Sequence, residues 1–304
     1  MKHPTEVLIK DKEYLFITDY KENNTLRQTL NKLTDSVWGF TFENWFESGY
    51  WDTNCHLYSL LHQHNMVSHI TVTELDLQLS NKRYKAVQLG TVMTDKKYRN
   101  RGLCKWLMST VLKEWESNCD FIFLYANDEV IHFYPQFGFT PVKEYQASRL
   151  PNKKLEKLSV RKLNVEETCD LTLLDTISEK AKPLFELSVL NNTSLIMFYC
   201  LGLQAFKEHI YYIEKLDTLV IAEYQGTTLL IHDILASTEI NIETAIDSLC
   251  TEDTELILLQ FMPQHREKYN IQEYTEDDST LFVSNKQADL FNTQQLLFPT
   301  LAHT

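Results

Sequence analysis

The chain has 304 residues, 43% of them apolar and 23% charged, with only seven Gly and seven Pro. This composition excludes collagen-like, low-complexity and wholly disordered chains. The net charge of −13 is uneven: residues 1–150 carry 17 basic against 18 acidic side chains, and residues 151–304 carry 12 against 24. An acidic half repels phosphate backbones and anionic headgroups, which argues against nucleic acid and membrane surfaces as partners. The six Cys are scattered without a CxxC pair, which points to reduced thiols in a cytoplasmic protein and against a disulfide framework or a zinc site. The N-terminus does not read as a signal peptide, because Lys10, Asp11, Lys12 and Glu13 interrupt any apolar stretch. The longest apolar run, Ser194 to Phe206, is too short to span a bilayer and reads as a buried core helix.

At roughly 100–200 residues per domain the length suggests two domains, and the polar stretch Pro151–Lys157 places the boundary, giving units 1–150 and 151–304. The first unit alternates between the two periodicities. Residues 13–19 predict a strand and residues 25–38 an amphipathic helix with Leu26, Leu30 and Leu33 on one face. Strands follow at 55–63, 66–79 and 84–94, then a strong helix at 102–117 and a short buried strand at 121–126. A helix near 130–137 and a strand near 140–150 complete a mixed α/β unit. In the second unit a hairpin at 218–222 and 227–235, a helix at 242–250 and a strand at 256–261 repeat part of that order.

The sharpest local signal is Val92-Met-Thr-Asp-Lys-Lys-Tyr-Arg99-Asn-Arg101-Gly102-Leu-Cys104-Lys105, a strand running into a basic, Gly-containing turn from which an apolar helix starts at once. Free N–H groups and the positive dipole end at such a helix start make an anion site, and Arg99, Arg101 and Lys105 add charge. Physics alone reads this as a place for phosphate or pyrophosphate. The stretch Arg99-Asn-Arg-Gly102-Leu-Cys104 resembles the Q/R-x-x-G-x-G/A motif of the GNAT (Gcn5-related) N-acetyltransferases. Further on, Asn127-Asp-Glu-Val-Ile-His-Phe133-Tyr134-Pro-Gln-Phe-Gly138-Phe139 is similar to the same family's later motif, N-x-x-A-x-x-F-Y-x-x-x-G-F.

The resemblance covers roughly residues 13–150. It implies a mostly antiparallel sheet flanked by helices, acetyl-CoA as co-substrate without a metal, and transfer of the acetyl group to a primary amine. Backbone groups of Val92, Met93 and Thr94 would hold the pantetheine arm. The N–H groups of Arg99, Asn100, Arg101, Gly102, Leu103 and Cys104 would cradle the pyrophosphate. Asn127 would contact the cofactor arm, and Tyr134 would protonate the leaving thiolate. A backbone N–H would hold the oxyanion formed when the free amine attacks the thioester. Two positions depart from the pattern: Cys104 replaces a Gly or Ala, and Gln88 stands where some members carry a Glu general base. A base then has to come from Glu74 or Asp76 on the preceding strand, from a water chain, or not at all. Gln88 also keeps open an alternative, a non-catalytic CoA- or acyl-CoA-binding regulatory module.

For the acceptor, residues 37–52 pack seven aromatics with Glu43, Glu47 and Asp52. Aromatics interleaved with carboxylates suit a cationic small molecule or peptide, an amine on an apolar body. His62-Gln-His64 lacks a third ligand at a useful spacing and reads as a turn. In the second unit Asp233–Glu239, at the position of the basic loop, has neither Gly nor Arg. That half is expected to be a degenerate GNAT-like copy that binds no CoA and shapes the acceptor site with its acidic surface.

Overall fold

The computed structural model describes residues 4–152, 157–284 and 287–303; the expected linker falls partly on residues 153–156, outside the described residues. In chain order the first half runs β1 (Thr5–Ile9), β2 (Lys12–Thr18), α1 (Asn24–Trp38), α2 (Glu43–Glu47), β3 (Cys55–His62), β4 (Asn65–Leu79), β5 (Lys82–Thr94), α3 (Leu103–Trp115), β6 (Phe121–Ala126), β7 (Phe139–Pro141) and β8 (Glu144–Arg149). It continues through β9 (Arg161–Lys162), α4 (Thr168–Lys180), β10 (Leu187–Leu190), α5 (Thr193–Met197), β11 (Ile210–Ile213), β12 (Thr218–Gln225) and β13 (Thr228–Ala236). The last elements are α6 (Ile242–Leu249), β14 (Leu256–Leu259), β15 (Asn270–Tyr274), β16 (Thr280–Ser284) and α7 (Ala288–Gln294).

Local sequence explains the main elements. Asn23 caps α1 by accepting from the Leu26 N–H at 3.2 Å, and Gly39, in the left-handed region at φ 76°, ends it. The β3–β4 connection is a two-residue turn with both Gln63 and His64 at positive φ, so the His62-Gln-His64 stretch is spent on a hairpin. The segment expected as a helix near 130–137 is instead two short 3₁₀ turns, 128–130 and 134–137. Pro135 removes a backbone donor there, and Gly138 at φ 81° stops any continuation. The apolar run expected as one core helix at 194–206 is α5 followed by a π-turn, Phe198–Gly202. Gly202 lets this turn press against the rings beside it: a Cβ there would meet Phe198 Cδ2 at 3.0 Å and Trp45 Cβ at 3.2 Å.

Among the described residues the strands form two mixed, mainly antiparallel sheets. The first has the order β1-β2-β3-β4-β5-β6-β16-β7, with β10 paired to β4; the second has the order β15-β8-β14-β13-β12-β11-β9. The sheets trade strands. β16, from the C-terminal region, lies between β6 and β7, while β8 leaves the first half to pair with β14 and β15. The single strand expected at 140–150 is therefore two, because its ends find partners in different sheets. One face of the first sheet buries Leu103, Leu107, Val111 and Trp115 of α3. The other buries Leu30 and Leu33 of α1 together with Phe291 and Phe298 from the C-terminal region.

β5 and β6 run parallel only from Ala86↔Phe121 to Leu89↔Leu124. Just beyond that point the β4–β5 register slips between His69 and Thr71. Thr91, a β-branched residue, sits there at φ 40°, a conformation that costs energy and persists only where neighbours enforce it. The two strands part at this bulge, and the functional cleft opens between them.

Candidate active site

The cleft has a volume of 1040 Å³. One end is formed by the β5 terminus, the basic loop, the start of α3 and the turns after β6; Val92, Met93, Thr94, Arg99, Asn100, Gly102, Leu103, Cys104, Asn127 and Tyr134 all line it. They come from segments separated in sequence, and the fold brings them into one wall. Arg101 does not line the cleft: its guanidinium donates to the Lys97 carbonyl at 2.6 Å and lies 4.6 Å over the Tyr98 ring. Gly102 caps α3 at φ 83° with no side-chain acceptor for the first-turn N–H groups, which leaves them for a ligand anion.

Several residues of this end carry no sequence signal. Lys10 and Asp11, both at positive φ, make the β1–β2 turn, and this turn sets the Lys10 ammonium 3.3 Å from the Asn100 carbonyl. Asn127 donates to Asp278 Oδ2 at 2.8 Å, and the Asp128 N–H donates to Asp278 Oδ1 at 2.8 Å. These bonds hold the Asp278 carboxyl below the usual carboxylate range. Asp278 and Ser279, far along the chain, thus complete this end of the cleft wall.

Tyr134 is 4% exposed, and burial, reinforced by the neighbouring Cys104 thiol, pushes its phenol above the ordinary value, so it is protonated at neutral pH. Burial raises the Cys104 thiol to about 12, leaving it a small apolar filler rather than a nucleophile. Gln88 is buried between its cross-strand neighbours Thr73 and Phe123 and outside the cleft lining; its Oε1 has no hydrogen-bond partner among the described residues. Glu74 does not line the cleft that holds Tyr134. It pairs with His56 Nε2 at 2.9 Å in an adjoining pocket of 240 Å³, which shares Trp45, Cys55, Thr73 and Leu195 with the cleft and where Asp76 also lies.

A buried polar chain supports the bulge. Tyr20 Oη lies 2.6 Å from Ser59 Oγ, which lies 2.7 Å from His69 Nδ1. His69 Nε2 is 2.8 Å from Thr71 Oγ1, and that hydroxyl is 2.6 Å from Thr91 Oγ1. Burial drives the His69 imidazole down to about 3, so it stays neutral and joins hydroxyls on both sides. The chain ties down Thr91 at its strained φ and ends in two hydroxyl-bearing residues that line the cleft.

The far end of the cleft is aromatic. Val37, Trp38, Phe40, Phe42 and Trp45 face Leu195, Phe198, Tyr199 and Leu203, with Tyr125 from β6 beside them. Trp45 stacks on Trp51 at 5.1 Å and meets Phe198 at 4.8 Å. The Trp45 indole donates to the Ser194 carbonyl at 3.0 Å, and Ser194 Oγ donates to the Tyr50 carbonyl at 2.7 Å. The second half does build this wall, but with apolar rings instead of the acidic surface expected from charge. Of the three acids in residues 37–52, none lines the cleft. Glu43 pairs with Arg27 at 3.0 Å, which with Asn31 holds its carboxyl below the usual range. Asp52, raised by burial, caps the Asn54 N–H at 3.0 Å in the smaller pocket. The acids that do line the cleft, Glu129 and Asp278, lie at the end beside Asn127 and Val130. Among the described residues no group of three or more His, Cys, Asp or Glu is placed to hold a metal, and no helix is long and apolar enough to cross a membrane.

Residues 23–142 match the family model of the acetyltransferase (GNAT) domain. The chain is similar in fold to a conserved protein of unknown function from Enterococcus faecalis V583, described as a probable N-acyltransferase, at 12% identity and TM-score 0.58 over 92% of this chain and 75% of that one. Eis1 from Mycobacterium abscessus aligns at 12% identity and TM-score 0.55 over 88% of this chain and 72% of that one. A GCN5-related N-acetyltransferase from Kribbella flavida aligns at 13% identity and TM-score 0.52, covering 91% and 74%. At these identities the likeness concerns the fold, and it extends over both halves of the chain. No curated protein matches the sequence.

Proposed function

We propose, from the match of residues 23–142 to the acetyltransferase (GNAT) domain model, that this chain moves the acetyl group of acetyl-CoA to the primary amine of an acceptor whose body is apolar or aromatic. The observation that carries the reading is the single cleft joining the uncapped α3 start and Tyr134 at one end to a carboxylate-free aromatic chamber at the other. The pyrophosphate would rest on the N–H groups of residues 99–104, with Arg99, Lys105 and Lys10 supplying charge. The arm would follow Val92–Thr94, whose backbone is released from β6 where the strands part, and Asn127 would contact its other side. A backbone N–H of the bulged strand would meet the oxyanion as the amine attacks. Tyr134, kept protonated by burial, would donate its proton to the departing thiolate. The aromatic chamber supports a monoamine on an apolar body over a polycation, since rings cover apolar surface and supply no carboxylate to balance several charges.

The test is thiol release from acetyl-CoA across amines graded from apolar to polycationic, alongside calorimetric binding of acetyl-CoA. Apolar amines are expected to turn over best. Tyr134→Phe should cut kcat about 10²-fold or more, the usual scale of general-acid catalysis, with the acetyl-CoA Kd unchanged. Binding without turnover of any amine would replace this reading with a CoA-binding module. Absence of acetyl-CoA binding would remove both.

A further inference from the structure

The acceptor end contains a linked pair of titratable groups with no part in the scheme above. Tyr125 is the first residue of β6 beyond its last pair with β5, and its side chain lines the cleft. Its hydroxyl donates to Glu144 Oε1 at 3.2 Å, and the same oxygen accepts from the Phe298 N–H at 3.2 Å. Glu144 opens β8, the strand lent to the second sheet, so the strand exchange itself sets a carboxyl behind the cleft wall.

Resting on the acyl-transfer reading, we propose that Tyr125 and Glu144 form the relay that deprotonates the acceptor amine, Tyr125 touching the amine and Glu144 receiving the proton behind it. The step balances without another reactant. The ammonium gives a proton to Tyr125 Oη as Tyr125 passes its own proton to the Glu144 carboxylate, leaving free amine, intact phenol and carboxylic acid. The amine lone pair then forms the C–N bond, the C–S bond breaks, and the thiolate takes its proton at the other end of the cleft.

The surroundings suit this task. Burial pushes the Glu144 carboxyl up to about 7; the Phe298 N–H and Tyr125 hydroxyl oppose the shift, and Glu276 adds to it. A base poised near neutrality is well matched to accepting a proton at physiological pH. Burial and the nearby Glu144 raise the Tyr125 phenol well above its ordinary value, so Tyr125 exchanges protons instead of resting as an anion. The other titratable groups facing the pair do not compete. Tyr274 lies opposite Glu144 across the β8–β15 pair, and its phenol is raised by burial. Tyr199 is raised likewise and donates to the His303 carbonyl at 3.1 Å. His303 stacks on Tyr125 at 4.1 Å, and burial lowers its imidazole to about 4. His69 reaches the cleft through Thr71 and Thr91 but is held near 3, too weak to retain a proton from an amine.

The experiment measures kcat/KM against pH with one apolar amine for the wild type, Glu144→Gln, Glu144→Asp and Tyr125→Phe, with acetyl-CoA Kd measured for each. Glu144 must be ionised to accept a proton, so wild-type activity should fall as pH drops through about 7. Glu144→Gln should lose about 10²-fold or more and lose that limb, keeping only the slope from the amine's own ionisation. Glu144→Asp should restore the limb in part, and Tyr125→Phe should lower kcat with the acetyl-CoA Kd unchanged. A Glu144→Gln enzyme with wild-type kcat/KM and an unaltered limb would overturn the relay. Infrared difference titration, wild type against Glu144→Gln, gives a readout independent of turnover. A carboxyl band with its midpoint near 7 is expected, and one in the ordinary carboxylate range overturns the proposal. Active wild type with an indifferent Glu144→Gln counts against the relay alone; inactive wild type that binds acetyl-CoA counts against the acyl-transfer reading.

Discussion

The two halves of the chain build the same hairpin–helix–strand unit and finish it in opposite ways. In the first, β5 parts from β6 after Leu89↔Leu124; in the second, β13 parts from β14 after Ile231↔Leu259, and a register slip sits on the preceding hairpin in both. α3 then opens on Gly102 at φ 83° with no side-chain cap, behind Arg99 and Arg101. α6 opens on Asn241, whose side chain accepts from the Glu243 N–H at 3.0 Å. Glu243 itself is tied to Arg149 at 2.9 Å and Tyr269 at 2.6 Å. Beside the parted strands of the second unit, Phe261 stacks on Phe185 at 3.7 Å and His232 packs on Phe206 at 4.5 Å. Parted strands alone therefore do not leave an open cleft beside a helix start. In the first unit the helix N–H groups have no side-chain acceptor and the wedge between the strands stays open, whereas in the second Asn241 and the packed rings fill both places.

The largest effect that could break this comparison comes from Gly102→Val. A β-branched residue is strained at φ +83°, and its Cβ would sit 3.3 Å from Lys10 Cε. Acetyl-CoA Kd measured by calorimetry should rise about 10- to 100-fold, or roughly 1.4–2.8 kcal/mol; an unchanged Kd would mean the loop does not depend on its left-handed turn. Asn241→Ala should act in the opposite sense. Losing the cap should lower unfolding free energy by about 1 kcal/mol in denaturant titration, while acetyl-CoA Kd stays the same. A weakened Kd would show that the second unit takes part in cofactor binding after all. Lys10→Ala should give the smallest change, a Kd increase of about 2- to 5-fold that shrinks at high salt, as expected of an exposed charge near a phosphate. A salt-independent loss would assign Lys10 a packing role at the loop.

Much of the first sheet was legible from periodicity. The strands at 55–62, 65–79, 82–94 and 121–126 and the helices at 24–38 and 103–115 fall within a few residues of their expected bounds, since alternation and a one-sided apolar face are local signals. The short strands β10 and β16 and the short helix α7 were missed, because each depends on partners distant in sequence. The aromatic–acidic run 37–52 shows the same limit. Composition identified its rings and acids together, but only packing separates them: Phe40, Phe42 and Trp45 turn into the cleft while Glu43 turns back to Arg27.

By itself the sequence determined the end of the cleft formed by the basic loop. A strand, a basic turn with one left-handed glycine and an apolar helix are contiguous, so the direction of the N–H groups at Leu103 and Cys104 follows from residues beside them. The tertiary structure alone decided the aromatic end and the groups packed behind it. Phe198 and Tyr199 reach Trp45 and Tyr125 through the π-turn, and Glu144 reaches Tyr125 because β8 pairs with the other sheet. Such contacts are fixed by strand pairing and close packing between distant segments, which the local order of residues does not encode.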